Sequence, residues 1–177
     1  MTIITYDQKL LWKNWCTFFA IITNLSNLTQ RRLSIDELKE WYASVWLSWN
    51  WSLANIMVDK VLLRWNNKFK SKITKQILTI SNWLKELKKW KMLYIWFRRD
   101  IDMYVDTQDN WRVDRIPPIW PKEWWHSSNM IWDWNDYIII DNYEDRKYKY
   151  YKVSESIMEW LIKNRIIRAT SYIFNKS

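Results

Sequence analysis

Three residues of this chain carry side chains that can do covalent chemistry together. Cys16 is the only cysteine, His126 is the only histidine, and Asn142 follows the histidine by sixteen positions. A thiol, an imidazole and a carboxamide supply a nucleophile, a general base and a group that holds the imidazole ring. The thiolate is the reactive form of cysteine, and both a helix N-terminus and a neighbouring imidazolium favour it. Cys16 stands where such a helix has to begin. In Cys16-Thr17-Phe18-Phe19-Ala20 and onward, Phe18, Phe19, Ile22 and Leu25 recur at helical spacing.

The remaining elements must bring the imidazole to that helix end. Ser34-Ile35-Asp36-Glu37 has the pattern of a capping box and predicts a second helix through about Val45. Leu53 to Leu63 predicts a third helix that ends at Trp65-Asn66-Asn67, and Lys68 to Lys75 reads as a basic connector. Ile77 to Lys89 predicts a fourth helix with its lysines on one side. The second half turns to strands. Met92-Leu93-Tyr94-Ile95 is one, and Met103-Tyr104-Val105 is another candidate. His126 to Met130 and Tyr137 to Ile140 form an adjacent pair, and Lys147 to Val153 follows. Ser156 to Arg168 reads as helix, or as helix then strand. Helices first and strands second predict an α+β protein, a single unit with a helical lobe over 1–90 and an antiparallel β-rich lobe over 91–177.

Composition narrows the partners. The chain has 177 residues and a formal charge of +9 from 28 basic and 19 acidic side chains. No finger, RNA-recognition or basic-helix signature accompanies that charge, so specific nucleic-acid binding is not expected. One cysteine forbids an internal disulfide. No apolar run reaches the ~18 residues of a membrane span, and no secretory signal pattern stands out, so a cytoplasmic location is the expectation. One cysteine and one histidine cannot complete a zinc site without carboxylates. Asp100, Asp102 and Asp106 alternate like calcium ligands but lack the closing glutamate, and read as a solvated loop. No metal or cofactor is expected.

The strangest feature is the pairing of 17 tryptophans with no glycine. Average usage would give about 12 glycines in this length. The tryptophans fall where glycine belongs, in Trp49-Asn50-Trp51-Ser52, in Trp132-Asp133-Trp134-Asn135, at Trp65 and in Lys89-Trp90-Lys91. Some bacteria read the codon UGA as glycine, and a translation reading it as tryptophan leaves this pattern. Most of these tryptophans are therefore expected to be glycines, with a few, such as Trp41 or Trp120, genuine.

With that substitution, three separated stretches resemble the papain-like cysteine peptidases, in the same order. Gln8 followed by Cys16-Thr17-Phe18-Phe19-Ala20 is similar to that family's glutamine-to-cysteine motif. Trp49-Asn50-Trp51-Ser52-Leu53 and the helix after it resemble its glycine-rich stretch. Trp124-Trp125-His126-Ser127 and Tyr137-Ile138-Ile139-Ile140-Asp141-Asn142 resemble its Gly-Gly-His strand and its asparagine strand. The resemblance implies the two-lobe papain-like fold, with Cys16 as nucleophile, His126 as its proton partner and Asn142 as orienter. Asp141 is the alternative orienter. It further implies that the Gln8 amide and the Cys16 backbone N–H stabilise the oxyanion, and that Trp51, Ser52 and Trp125 line the substrate site. The implied substrate is a peptide or protein. An inactive binding module on the same fold and another Cys–His hydrolase, amidase or transglutaminase-like, are the competing readings, and oligomeric state is not legible.

Overall fold

A computed structural model of the chain describes residues 3–6, 16–45, 54–98, 101, 125–141 and 149–177. Among them five helices and six strands form a mixed α+β fold. The helices are α1 (Cys16–Thr29), α2 (Ile35–Val45), α3 (Ala54–Phe69), α4 (Ile80–Leu87) and α5 (Glu155–Lys163). The strands are β1 (Ile73–Thr79), β2 (Leu93–Arg98), β3 (Trp125–Asp133), β4 (Asp136–Asp141), β5 (Lys149–Val153) and β6 (Thr170–Lys176). All six strands join one sheet in the order β1-β6-β2-β3-β4-β5, with antiparallel neighbours throughout.

Strand alternation divides the core into two layers on either side of this sheet. Tyr94 and Trp96 of β2, with Tyr172 and Phe174 of β6, pack against α1, α2 and α3. Leu93, Ile95 and Phe97, with Met130, Ile139 and Ile173, pack against α4 and α5 through Trp83, Leu87, Met158 and Leu161. Because β2 is covered on both faces, Leu93 to Phe97 are all buried. A continuous apolar run is what such a strand needs.

Helix α1 is buried around most of its circumference, from Cys16 to Asn27. Its polar residues are therefore placed against specific partners. Asn24 Nδ2 donates to Asn129 Oδ1 (3.1 Å) and to the Met92 carbonyl (3.0 Å), while Asn129 Nδ2 donates to the Ala20 carbonyl (2.9 Å). The capping box opens α2 as expected. Ser34 N–H donates to Glu37 Oε2 (2.7 Å), and Glu37 N–H donates to Ser34 Oγ (3.2 Å).

A chain without glycine still has to end its helices. Gln30, Lys70, Trp90 and Arg165 take positive φ just beyond α1, α3, α4 and α5. Arg31 N–H bonds back to the Ser26 carbonyl, Ser71 N–H to Asn66 and Ile166 N–H to Leu161, the six-to-one closure of a left-handed cap. Among the described residues Trp134 also takes positive φ, in the two-residue turn between β3 and β4.

Two expectations need correction. Trp65 does not cap α3: the helix runs on to Phe69, and the Trp65 indole is fully buried between Trp41 and Phe69, at centroid distances of 5.9 and 4.7 Å. The stretch from Ile77 is not helical from its start. Ile73 to Thr79 forms β1, paired with β6 over seven residues, and α4 begins only at Ile80. Part of the expected basic connector, Lys68 to Lys75, thus belongs to α3 and β1. The stretch expected to be a helical lobe gives one strand to the sheet. The strand candidate at Met103 to Val105 and the aspartates Asp100, Asp102 and Asp106 lie outside the described residues. Among the described residues no helix is long and apolar enough to cross a membrane.

Candidate active site

Cys16 is the first residue of α1, and its thiol is buried. His126 is the second residue of β3 and is also buried. The two elements meet at this end. Thr17 Oγ1 and Ser127 Oγ share a hydrogen bond of 3.0 Å, and the Tyr94 hydroxyl of β2 donates to Ser127 Oγ at 2.9 Å. The residue after the cysteine thus touches the residue after the histidine.

The side chains of β3 alternate, and this decides where the imidazole points. Ser127 pairs with Trp96 and faces α1, whereas His126 pairs with Phe97. The His126 ring stands edge-on to Phe97, centroids 5.2 Å apart, and Phe97 in turn contacts Tyr151 at 5.9 Å. In this register the imidazole occupies the α4–α5 face of β3, and the hydroxyl of Ser127 occupies the α1 face. The chain neighbours of the two candidate reacting residues are brought together. Their side chains leave β3 and α1 on different sides of the sheet.

Burial dominates the electrostatics of the α1 face. Burial pushes the Tyr42 and Tyr94 hydroxyls well above the ordinary tyrosine range, and negative charge at Cys16 pushes both further. Its hydrogen bonds with Ser127 and Thr17 pull Tyr94 back only in part. Both phenols therefore stay protonated and lie within electrostatic reach of a Cys16 thiolate.

The other expected residues divide into two groups. Trp125 is half-buried against the α1–α3 core, pairs with Arg98, and carries the Arg168 guanidinium 4.6 Å from its ring centroid. Asp141 closes β4 opposite Lys149. Gln8, Trp51, Ser52 and Asn142 lie outside the described residues. Sequence reading passed over Thr17, Ser127 and Tyr94. For Ser127 the signal was present: a polar Ser-Ser-Asn run, Ser127 to Asn129, inside a strand otherwise suited to a core.

No family model, curated protein or solved structure matches the chain.

Proposed function

We propose that the chain is a cysteine peptidase of the papain-like kind, with Cys16 as nucleophile and His126 as its proton partner. The observation that carries this reading is the Thr17–Ser127 hydrogen bond, which ties the neighbour of the only thiol to the neighbour of the only imidazole across 110 positions of sequence. In the proposed reaction the Cys16 thiolate attacks a peptide carbonyl carbon, and the imidazolium gives its proton to the departing amine. The imidazole then takes a proton from water, whose oxygen displaces the thiolate from the acyl-enzyme. Asn142 or Asp141 would hold the ring. The Gln8 amide and the Cys16 backbone N–H would take the oxyanion. Trp51, Ser52 and Trp125 would border the peptide, and a cytoplasmic location belongs to the same reading.

The pair requires the imidazole on the α1 face. The register pairs His126 with Phe97 and Ser127 with Trp96 one to one, so reaching that face would take a bulge at His126–Ser127, which sets two consecutive residues against one on the neighbouring strand. It would turn His126 while leaving Ser127 on Thr17. Glycine at position 125, expected from the codon reading, would lower the backbone cost of that bulge.

One observation favours a second reading, an inactive binding module on the same fold: the His126 ring is packed against Phe97 on the far face. The pH dependence of Cys16 alkylation by iodoacetamide separates the two. A peptidase should alkylate rapidly down to about pH 5, and His126→Ala should abolish that arm. Both Cys16→Ala and His126→Ala should then eliminate hydrolysis of a fluorogenic peptide library. A single transition near about pH 8.5, indifferent to His126→Ala, leaves the binding module.

A further inference from the structure

The contact between α1 and β3 is polar although buried, and it is built as two rungs. The first joins Thr17, Ser127 and Tyr94; the second joins Ala20, Asn24 and Asn129. From Ser127 to Asn129 is two strand residues, about 6.6 Å. From Thr17 to the middle of the Ala20–Asn24 pair is about five helical residues, about 7.5 Å. The steps agree to within about an ångström, so α1 and β3 run alongside one another in matched register. Sliding the helix by one residue would break both rungs at once.

The first rung has a feature that the second lacks. All three of its side chains are hydroxyls, with Tyr94 fully buried and Thr17 and Ser127 nearly so. A serine hydroxyl has one proton to give. Because Ser127 Oγ accepts from Tyr94, its proton is available for Thr17 Oγ1. Burial keeps the Tyr94 phenol protonated, so the donor that starts this chain persists across the ordinary pH range.

We propose that Tyr94, Ser127 and Thr17 form a hydroxyl clamp that fixes the Cys16 end of α1 against the strand that carries His126, making Tyr94 and Ser127 positioning residues of the reaction once the imidazole is turned to the α1 face. The clamp grips the chain one residue beyond each reacting group, so its length sets how far the thiol stands from the strand that carries the imidazole. This rests on the peptidase reading above. A purely structural role would give the two rungs the same behaviour. A positioning role distinguishes them, because only the first lies beside the reacting pair.

The test is the rate of iodoacetamide alkylation against pH in the full chain. Variants are Ser127→Ala, Ser127→Thr, Tyr94→Phe and, as the second-rung control, Asn129→Ala, with melting temperature measured for each. The expected result is a loss of about tenfold or more in rate near pH 5 for Ser127→Ala, with a smaller loss of the same sign in Tyr94→Phe. Ser127→Thr restores the rate, and Asn129→Ala lowers the melting temperature while keeping the wild-type profile. A folded Ser127→Ala with the wild-type profile overturns the clamp and leaves the peptidase reading standing, as does an equal shift in Asn129→Ala. Should Ser127→Ala not fold, Tyr94→Phe decides in the same two ways. A wild-type profile with one ordinary transition, unchanged by His126→Ala, overturns the peptidase reading and the clamp with it.

Discussion

Trp90 and Trp134 meet edge to face with ring centroids 5.0 Å apart, each in left-handed backbone at φ 61° and 52°. Solvent reaches 64% and 72% of their surfaces, so burial contributes little to holding them there. With Leu87, Lys88 and Trp132 they wall an open cleft of about 340 Å³. Left-handed backbone costs a residue with a Cβ about 1–2 kcal/mol, and glycine escapes that cost. These are also two positions where the codon reading expects glycine, and glycine there would erase the cleft.

The informative comparison at these two sites is glycine against alanine, since both remove the indole. Trp90→Gly and Trp134→Gly should each be more stable than the matching alanine variant by about 1 kcal/mol, read from chemical denaturation. Equal stability of the two variants would mean the backbone there is not strained, and the codon reading would lose its structural support.

Trp65 makes the opposite prediction. Its indole is fully buried among Trp41, Phe69 and the α1 side chains. Trp65→Ala should cost about 3–5 kcal/mol, and Trp65→Gly about 1 kcal/mol more because the site is helical. A loss below about 1 kcal/mol in Trp65→Gly would place this tryptophan with Trp90 and Trp134 as a position built for glycine.

The contrast shows what the sequence could and could not reveal. Local signals were readable: the Ser34/Glu37 box, the apolar period of α1, and the turn between β3 and β4 all lie within a few residues of what they specify. Strand β1 was hidden because its partner is far away. Lys75 and Gln76 interrupt its apolar residues, Ile77 and Leu78 merge into the period of α4, and only pairing with β6 decides the matter. The site was legible in the same uneven way. Residue type singles out Cys16 and His126, and the order of helix and strands brings their neighbours together. Which of His126 and Ser127 faces α1 depends on the register of β3 against β2, set by pairs such as Phe97–His126 that no local pattern encodes.

Glu37 gives a prediction in pH. Its hydrogen bond from Lys68, and then that from the Ser34 backbone, hold its carboxyl below the ordinary glutamate value of 4.5. A lowered folded-state value means the stabilisation is complete above about pH 4.5 and is lost as pH falls through the folded value. Glu37→Gln should therefore melt below the wild type at pH 7, by no more than about 1 kcal/mol for so accessible a pair. The gap should narrow as pH falls from about 4.5 through the lower folded-state value. A gap that does not narrow at all as pH falls below about 4.5 would show that the amide–carboxylate difference there is steric and owes nothing to charge.

Asn129 tests whether the second rung of the α1–β3 contact stabilises the fold on its own account. Asn129→Ala removes the acceptor of Asn24 and the donor to the Ala20 carbonyl, while Asn24 keeps the Met92 carbonyl. Loss of a buried polar partner costs about 1–3 kcal/mol. Asn24→Ala should cost a similar amount, and the double variant should lose less than the sum, with a coupling of about 0.5–3 kcal/mol. Simple additivity would mean that the two amides act separately, each through backbone groups. In that case the Asn129–Ala20 bond and the Thr17–Ser127–Tyr94 hydroxyls would fix the slide of α1 along β3 independently, and loosening of the hydroxyls would be felt at Cys16.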